Sequence, residues 1–140
     1  MGKEINLLKE YPKSKRNLKD RKNKKNSKII SKSREFGRDY FDGDRIYGYG
    51  GYSYDKKFWG NVVKTFIQYY NLKDGDSILD IGCAKGYMLF DFKNEMKSLN
   101  TYGIDISSYA IENSENSIKP YLKVGNAINL PYPNHYFDLV

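Results

Sequence analysis

The run Ser77-Ile78-Leu79-Asp80-Ile81-Gly82-Cys83-Ala84-Lys85-Gly86 constrains the fold of this chain more than any other stretch. Its first five residues form a short apolar run suited to a buried strand. The small residues at 82, 84 and 86 let the backbone turn sharply and let a ligand approach it closely. Leu89, Phe92 and Met96 then recur at helical spacing. The pattern repeats: 102–105 reads as a second strand, Ser107 or Ser108 caps a helix over roughly 109–116, and 121–124 reads as a third strand. Residues 136–140 look like the start of a fourth. Upstream, Trp59, Val62, Val63, Phe66, Ile67 and Tyr70 mark an amphipathic helix, and Lys73-Asp74-Gly75-Asp76 a turn. Strands alternating with helices predict an α/β chain with a parallel sheet and crossover helices.

Ligands of such sheets bind outside the carboxyl ends of the strands. Three places qualify. The first is the turn after Ile81, where Asp80 suits a ligand with a positive end. The second is Asp105, which follows Gly86 by 19 positions. An acidic side chain at about that distance can accept both ribose hydroxyls of an adenosine; a carboxylate favouring the next helix dipole is the plainer alternative. The third is Gly125-Asn126-Ala127, where an amide can pair with the edge of an adenine or simply serve the turn. A nicotinamide fingerprint would put a third glycine at position 87, which is Tyr87, and no Walker loop is present.

Charge divides the chain. Residues 1–38 hold 14 Lys/Arg and 4 Asp/Glu, whereas residues 39–140 hold 10 and 13, within an overall net charge of +7. The stretch from Lys9 to Arg38 has few apolar residues and reads as a poorly ordered tail or one exposed helix. Its basic charge allows a nucleic-acid contact, but no aromatic lies between Pro12 and Glu35 to stack a base. Residues 39–55 alternate Gly and Tyr. They read as a structured segment that packs on the core through its tyrosines or forms a lid over a pocket. Residues 56–140 carry the strand-helix alternation. A single cysteine excludes an internal disulfide or a cysteine-paired zinc site, so no metal is expected and the reducing cytoplasm is the expected compartment. No apolar run reaches the roughly 18 residues of a membrane span.

The segment 79–86, then Gly103-Ile104-Asp105-Ile106-Ser107, then Gly125-Asn126-Ala127, Leu130-Pro131-Tyr132-Pro133 and Phe137-Asp138-Leu139-Val140, resembles in this order the successive motifs of class I S-adenosylmethionine-dependent methyltransferases. The spacing from Leu130 to Asp138 resembles the broad subgroup that methylates small molecules. The Tyr-Gly segment with Arg38-Asp39-Tyr40-Phe41-Asp42-Gly43 resembles methyltransferases of bacterial surface-polysaccharide gene clusters. The resemblance implies a Rossmann-like three-layer αβα fold and S-adenosylmethionine as cofactor. Asp80, Gly82, Cys83, Ala84 and Gly86 would then shape the site for its methionine part. Asp105 would hold the ribose, Ile106 would lie against the adenine, Asn126 and Ala127 would face the adenine edge, and Tyr49 and Tyr52 would close over the cofactor. Ala84 stands where the family usually has glycine, and Asn126 where it often has Asp.

The implied reaction is methyl transfer to a small-molecule or sugar acceptor. An RNA methyltransferase using the basic tail and an inactive half-fold serving as an interaction protein are the alternatives. The implied sheet has seven strands, of which this chain holds the first four. The expectation is therefore the N-terminal half of a longer or split enzyme. Its C-terminal half, or a complementing chain, would supply the base and most acceptor contacts. No catalytic residue is assigned. His135 reads as a surface histidine, Lys85 as solvated, and Cys83 as a small residue that the loop requires.

Overall fold

The structure, a computed structural model, describes residues 4–13 and 25–140. The basic stretch 14–24 lies outside the described residues. Helices α1 (Ser27–Ser33) and α2 (Arg38–Asp42) precede a long helix α3 (Lys56–Tyr70). Strand β1 (Ser77–Ile81), helix α4 (Tyr87–Glu95), strand β2 (Asn100–Asp105), helix α5 (Ser108–Glu112), a 3-10 turn (Lys119–Tyr121) and strand β3 (Leu122–Val124) follow. The strands are parallel in the order β1-β2-β3, with Ile78 opposite Thr101 and Gly103 opposite Leu122. This is the opening part of a Rossmann-like α/β sheet.

Local chemistry sets the element ends. The Asp55 carboxylate accepts the Lys57 N–H and starts α3, which stops at Asn71 in the left-handed conformation. The turn at Gly75 is tied to β2 by bonds between Asn100 and Gly75 and between the Gly75 N–H and the Ser98 carbonyl. Gly86 opens α4 at φ +74, and a Cβ there would lie 2.8 Å from Leu122 Cδ1. Both facts require glycine at this position.

The main core lies on the α3/α4 side of the sheet: Val63, Ile78, Leu89, Phe92, Leu99, Ile118 and Leu122 pack together with Cys83. Burying each large apolar side chain of this kind stabilises by about 1.5–3 kcal/mol. A second cluster joins Phe41 of α2 to Ala84 of the glycine loop and Ala110 of α5, flanked by Phe36, Tyr40, Tyr52 and Tyr109. The N-terminal segment is thereby packed onto the loop that follows β1.

The fold departs from the sequence reading at several element ends, among them the start of β2, which lies at Asn100 and not at residue 102. Helix α5 stops at Glu112, because the Asn113 amide donates to the Tyr109 carbonyl and the Ser114 hydroxyl to the Ile111 carbonyl. Such side-chain bonds compete with helix continuation. Strand β3 begins at Leu122, since Lys119–Tyr121 turns as a 3-10 helix. In place of a fourth strand there is one parallel bridge, Ile78 to Leu139, with Asp138 accepting the Ser77 N–H at 2.8 Å. That bridge puts residue 139 on the side of β1 away from β2. Among the described residues, no helix is long and apolar enough to cross a membrane.

Candidate functional site

The ends of β1, β2 and β3 enclose a cleft of ≈ 330 Å³ lined by Ile81, Gly82, Ile104, Asp105, Ile106, Gly125, Asn126 and Ala127. Five of the residues that the sequence nominates therefore meet here: Gly82, Asp105, Ile106, Asn126 and Ala127. Gly82 sits at φ +86, and a Cβ on it would meet nothing within 4 Å. The positive φ demands glycine, and the open space beside it leaves room for a ligand. Ile106 is 60% exposed and Ile81 40% exposed. Two large apolar side chains thus form an uncovered wall of the kind that a flat ring covers.

Asp105 is held by its own neighbours. Its Oδ2 accepts the Ala84 N–H at 2.8 Å and its Oδ1 accepts the Ser107 N–H at 2.8 Å. Each oxygen keeps a further lone pair for a ligand hydroxyl. Asn126 commits its Oδ1 to the Ile128 N–H at 2.9 Å, an Asx turn that leaves its amide group to donate.

The other nominated residues sit elsewhere. Cys83 faces the core, and its side chain is buried beside Gly103. Burial pushes its thiol far above the usual range, with Asp80 and Asp105 adding to the shift. Its contribution to the turn is a backbone N–H donated to Ile104. Ala84 is buried with φ +51, a conformation that costs a non-glycine residue about 1 kcal/mol. Gly86 packs under Leu122. Asp80 lies beside a second cleft of ≈ 320 Å³ shared with Ile78, Met88, Leu139 and Val140. Burial and, secondarily, the negative charge of Asp105 raise its carboxyl to about 6.

Tyr49 and Tyr52 do not line the β-strand cleft. They belong to a tyrosine stack whose ring centroids are 4.4 Å apart, with Tyr52 5.0 Å from Tyr87. Beneath them lies a group that the sequence reading missed. Lys85, expected in solvent, is 6% exposed. Its Nζ donates to both Asp42 carboxylate oxygens at 2.9 and 2.8 Å and to the Tyr52 carbonyl at 2.8 Å. The Tyr109 hydroxyl and the Tyr52 N–H also bond Asp42. Burial alone would raise the Asp42 carboxyl, but the bonds from Lys85, Tyr109 and Tyr52 outweigh it and hold the group below its usual range. The sequence signal for this contact was a lone cation among small loop residues, with Asp42 distant in the chain. At its far end the Tyr-Gly segment is pinned again, where the Tyr54 hydroxyl donates to buried Asp91 at 2.6 Å. His135 is exposed, as its setting in a polar turn predicts.

Residues 72–140 match the family model described as a methyltransferase domain. The matched part contains the whole β-strand cleft. The chain is 36% identical over 90 residues to an uncharacterized protein of Methanocaldococcus jannaschii, covering 61% of this chain and 33% of that protein. It is 31% identical over 88 residues to the demethylmenaquinone methyltransferase of Symbiobacterium thermophilum, covering 57% and 35%. It is 30% identical over 102 residues to phosphoethanolamine N-methyltransferase 1 of Zea mays, covering 69% and 20%. The chain thus spans about a third or less of the length of these curated relatives.

Proposed function

We propose that the protein takes part in S-adenosylmethionine-dependent methylation of a small molecule, with a sugar as the preferred acceptor class, in the cytoplasm. The observation that carries this reading is the Asp105 carboxylate at the end of β2, facing an open cleft whose walls are exposed Ile81 and Ile106. A carboxylate with spare lone pairs suits two ribose hydroxyls, and the apolar wall suits an adenine face. The donor amide of Asn126 suits an adenine ring nitrogen. Asp80 supplies negative charge for a cationic methionine end.

S-adenosylmethionine supplies an electrophilic methyl group already attached to its leaving group. The chain's residues then have to bind and align. Asp105 fixes the ribose and is itself fixed by the Ala84 and Ser107 amides. The glycine loop brings backbone close to the ligand, and the Lys85–Asp42 pair holds that loop against α2. Alignment of donor and acceptor is worth several kcal/mol of barrier. The acceptors in the names of the relatives, a quinone precursor and phosphoethanolamine, are small molecules, which supports that class. The basic N-terminal charge supports contact with RNA less well, because it comes without interleaved aromatic rings.

Calorimetric titration with S-adenosylhomocysteine tests the reading. Saturable binding is expected, weakened at least about tenfold by Asp105→Asn through loss of charged hydrogen bonds. Binding that is absent, or indifferent to Asp105→Asn, overturns it.

A further inference from the structure

A cleft of ≈ 320 Å³ lies between the N-terminal segment, the Tyr-Gly segment and the start of α3. Its rings fall into two groups. Tyr11 packs on Phe58 and Trp59 at centroid distances of 5.6 and 4.9 Å. Tyr49, Tyr52 and Tyr87 form the stack described above. The charges are unequal. Lys57 is paired with Asp55 at 2.6 Å and so is locally neutralised. Arg45 is exposed and donates one bond, from Nη1 to the Tyr49 carbonyl at 3.3 Å. A guanidinium has five N–H donors in a fixed fork, so Arg45 keeps donors for an anion.

We infer that this cleft binds the methyl acceptor and that the acceptor is an acidic sugar, a hydroxylated ring bearing one carboxylate. The inference rests on the methyltransferase reading for the word acceptor. Flat aromatic faces suit a ring, and the Tyr11 and Tyr52 hydroxyls with Ser53 suit its hydroxyls. Among the described residues that line the cleft, the one cation left over after the Lys57–Asp55 pair matches one negative charge. Two residues connect the cleft to the glycine loop. Tyr87 follows Gly86 directly, and the Tyr52 carbonyl accepts the Lys85 ammonium. The Tyr87 hydroxyl also donates to the Tyr52 carbonyl, so the cleft packs directly against the glycine loop. A ring seated here would lie beside the glycine loop.

Trp59 is the protein's single tryptophan and lines the cleft, so its fluorescence reports occupancy directly. The probes are glucuronate, glucose and benzoate, each titrated into the protein. Glucuronate is expected to change Trp59 emission saturably. Arg45→Gln is expected to weaken it at least about tenfold, the loss of one charge-assisted hydrogen-bonded contact, with glucose changed less than about twofold. Arg45 is exposed, so the variant should keep the wild-type circular dichroism. No saturable response to glucuronate, or an unchanged response in Arg45→Gln, overturns the site. Tighter binding of benzoate than of glucuronate overturns the sugar assignment. S-adenosylhomocysteine titration of the same samples separates the two claims: its failure sinks the methyltransferase reading, whereas the Trp59 response tests the cleft alone.

Discussion

Asp80 stands at the end of β1, beside a second carboxylate, with no ion-pair partner among the described residues. Burial and the Asp105 charge raise it to about 6, above an unfolded value near 3.8. The folded chain therefore holds this proton more tightly than the unfolded chain does. The stabilisation is complete below about pH 4 and is lost as pH rises through about 6. After allowance for partial solvent access it amounts to about 1–2 kcal/mol. Denaturant unfolding of wild type and Asp80→Asn between pH 4 and 7.5 should show the variant gaining on the wild type across that window. A stability difference that does not vary with pH would refute the shift. A cationic ligand arriving beside this carboxylate would return it to the charged form. The positions of Asp80, Gly82 and Asp105 at the strand ends were legible in the sequence because strand, turn and acidic residue follow at fixed spacing. Lys85 was not, because its partner lies 43 positions upstream and no local pattern records the contact.

Helix α5 has five residues, too few to be stable alone, so its ends matter. Ser107 accepts the Ala110 N–H at 3.0 Å and its hydroxyl also donates to the Phe36 carbonyl. One side chain thus caps α5 and ties it to the N-terminal segment. Ser107→Ala is expected to cost about 1–2 kcal/mol for the cap, with a further contribution from the lost, part-buried bond to the Phe36 carbonyl. Hydrogen exchange should quicken in both α5 and α2 while β1 and β2 stay protected; quickening confined to α5 would remove the tie. At this scale the sequence reading located every long element, since α3, β1 and α4 carry strong periodicity. It overran α5 because Asn113 and Ser114 look tolerable in a helix. Their alternative bonds to the backbone are visible only in the folded turn.

The sequence divides by composition into 1–38, 39–55 and 56–140, and the described contacts join all three. Tyr11 packs against α3. Phe41 lies in a cluster with Ala84 and Ala110. Asp42 pairs with buried Lys85, whose side chain is 8% exposed against 27% for its partner. The glycine loop is therefore shaped from two parts of the sequence, by β1 before it and by α2 packed over it. Two truncations separate these contributions. Removal of residues 1–24 takes away the Tyr11 ring, worth about 1–2 kcal/mol, and should shift the Trp59 emission to the red as that ring becomes wetter. Removal of residues 1–43 also takes away Phe41 and Asp42. It leaves a buried ammonium without its carboxylate, which costs about 3–5 kcal/mol before the lost packing is counted. That is a large share of the roughly 5–15 kcal/mol that holds a small domain folded. Urea unfolding followed by circular dichroism should find the shorter truncation folded and the longer one largely unfolded in buffer. If the two differ by less than about 1 kcal/mol, α2 is an ornament on the loop and the Lys85–Asp42 pair contributes nothing that solvent cannot replace.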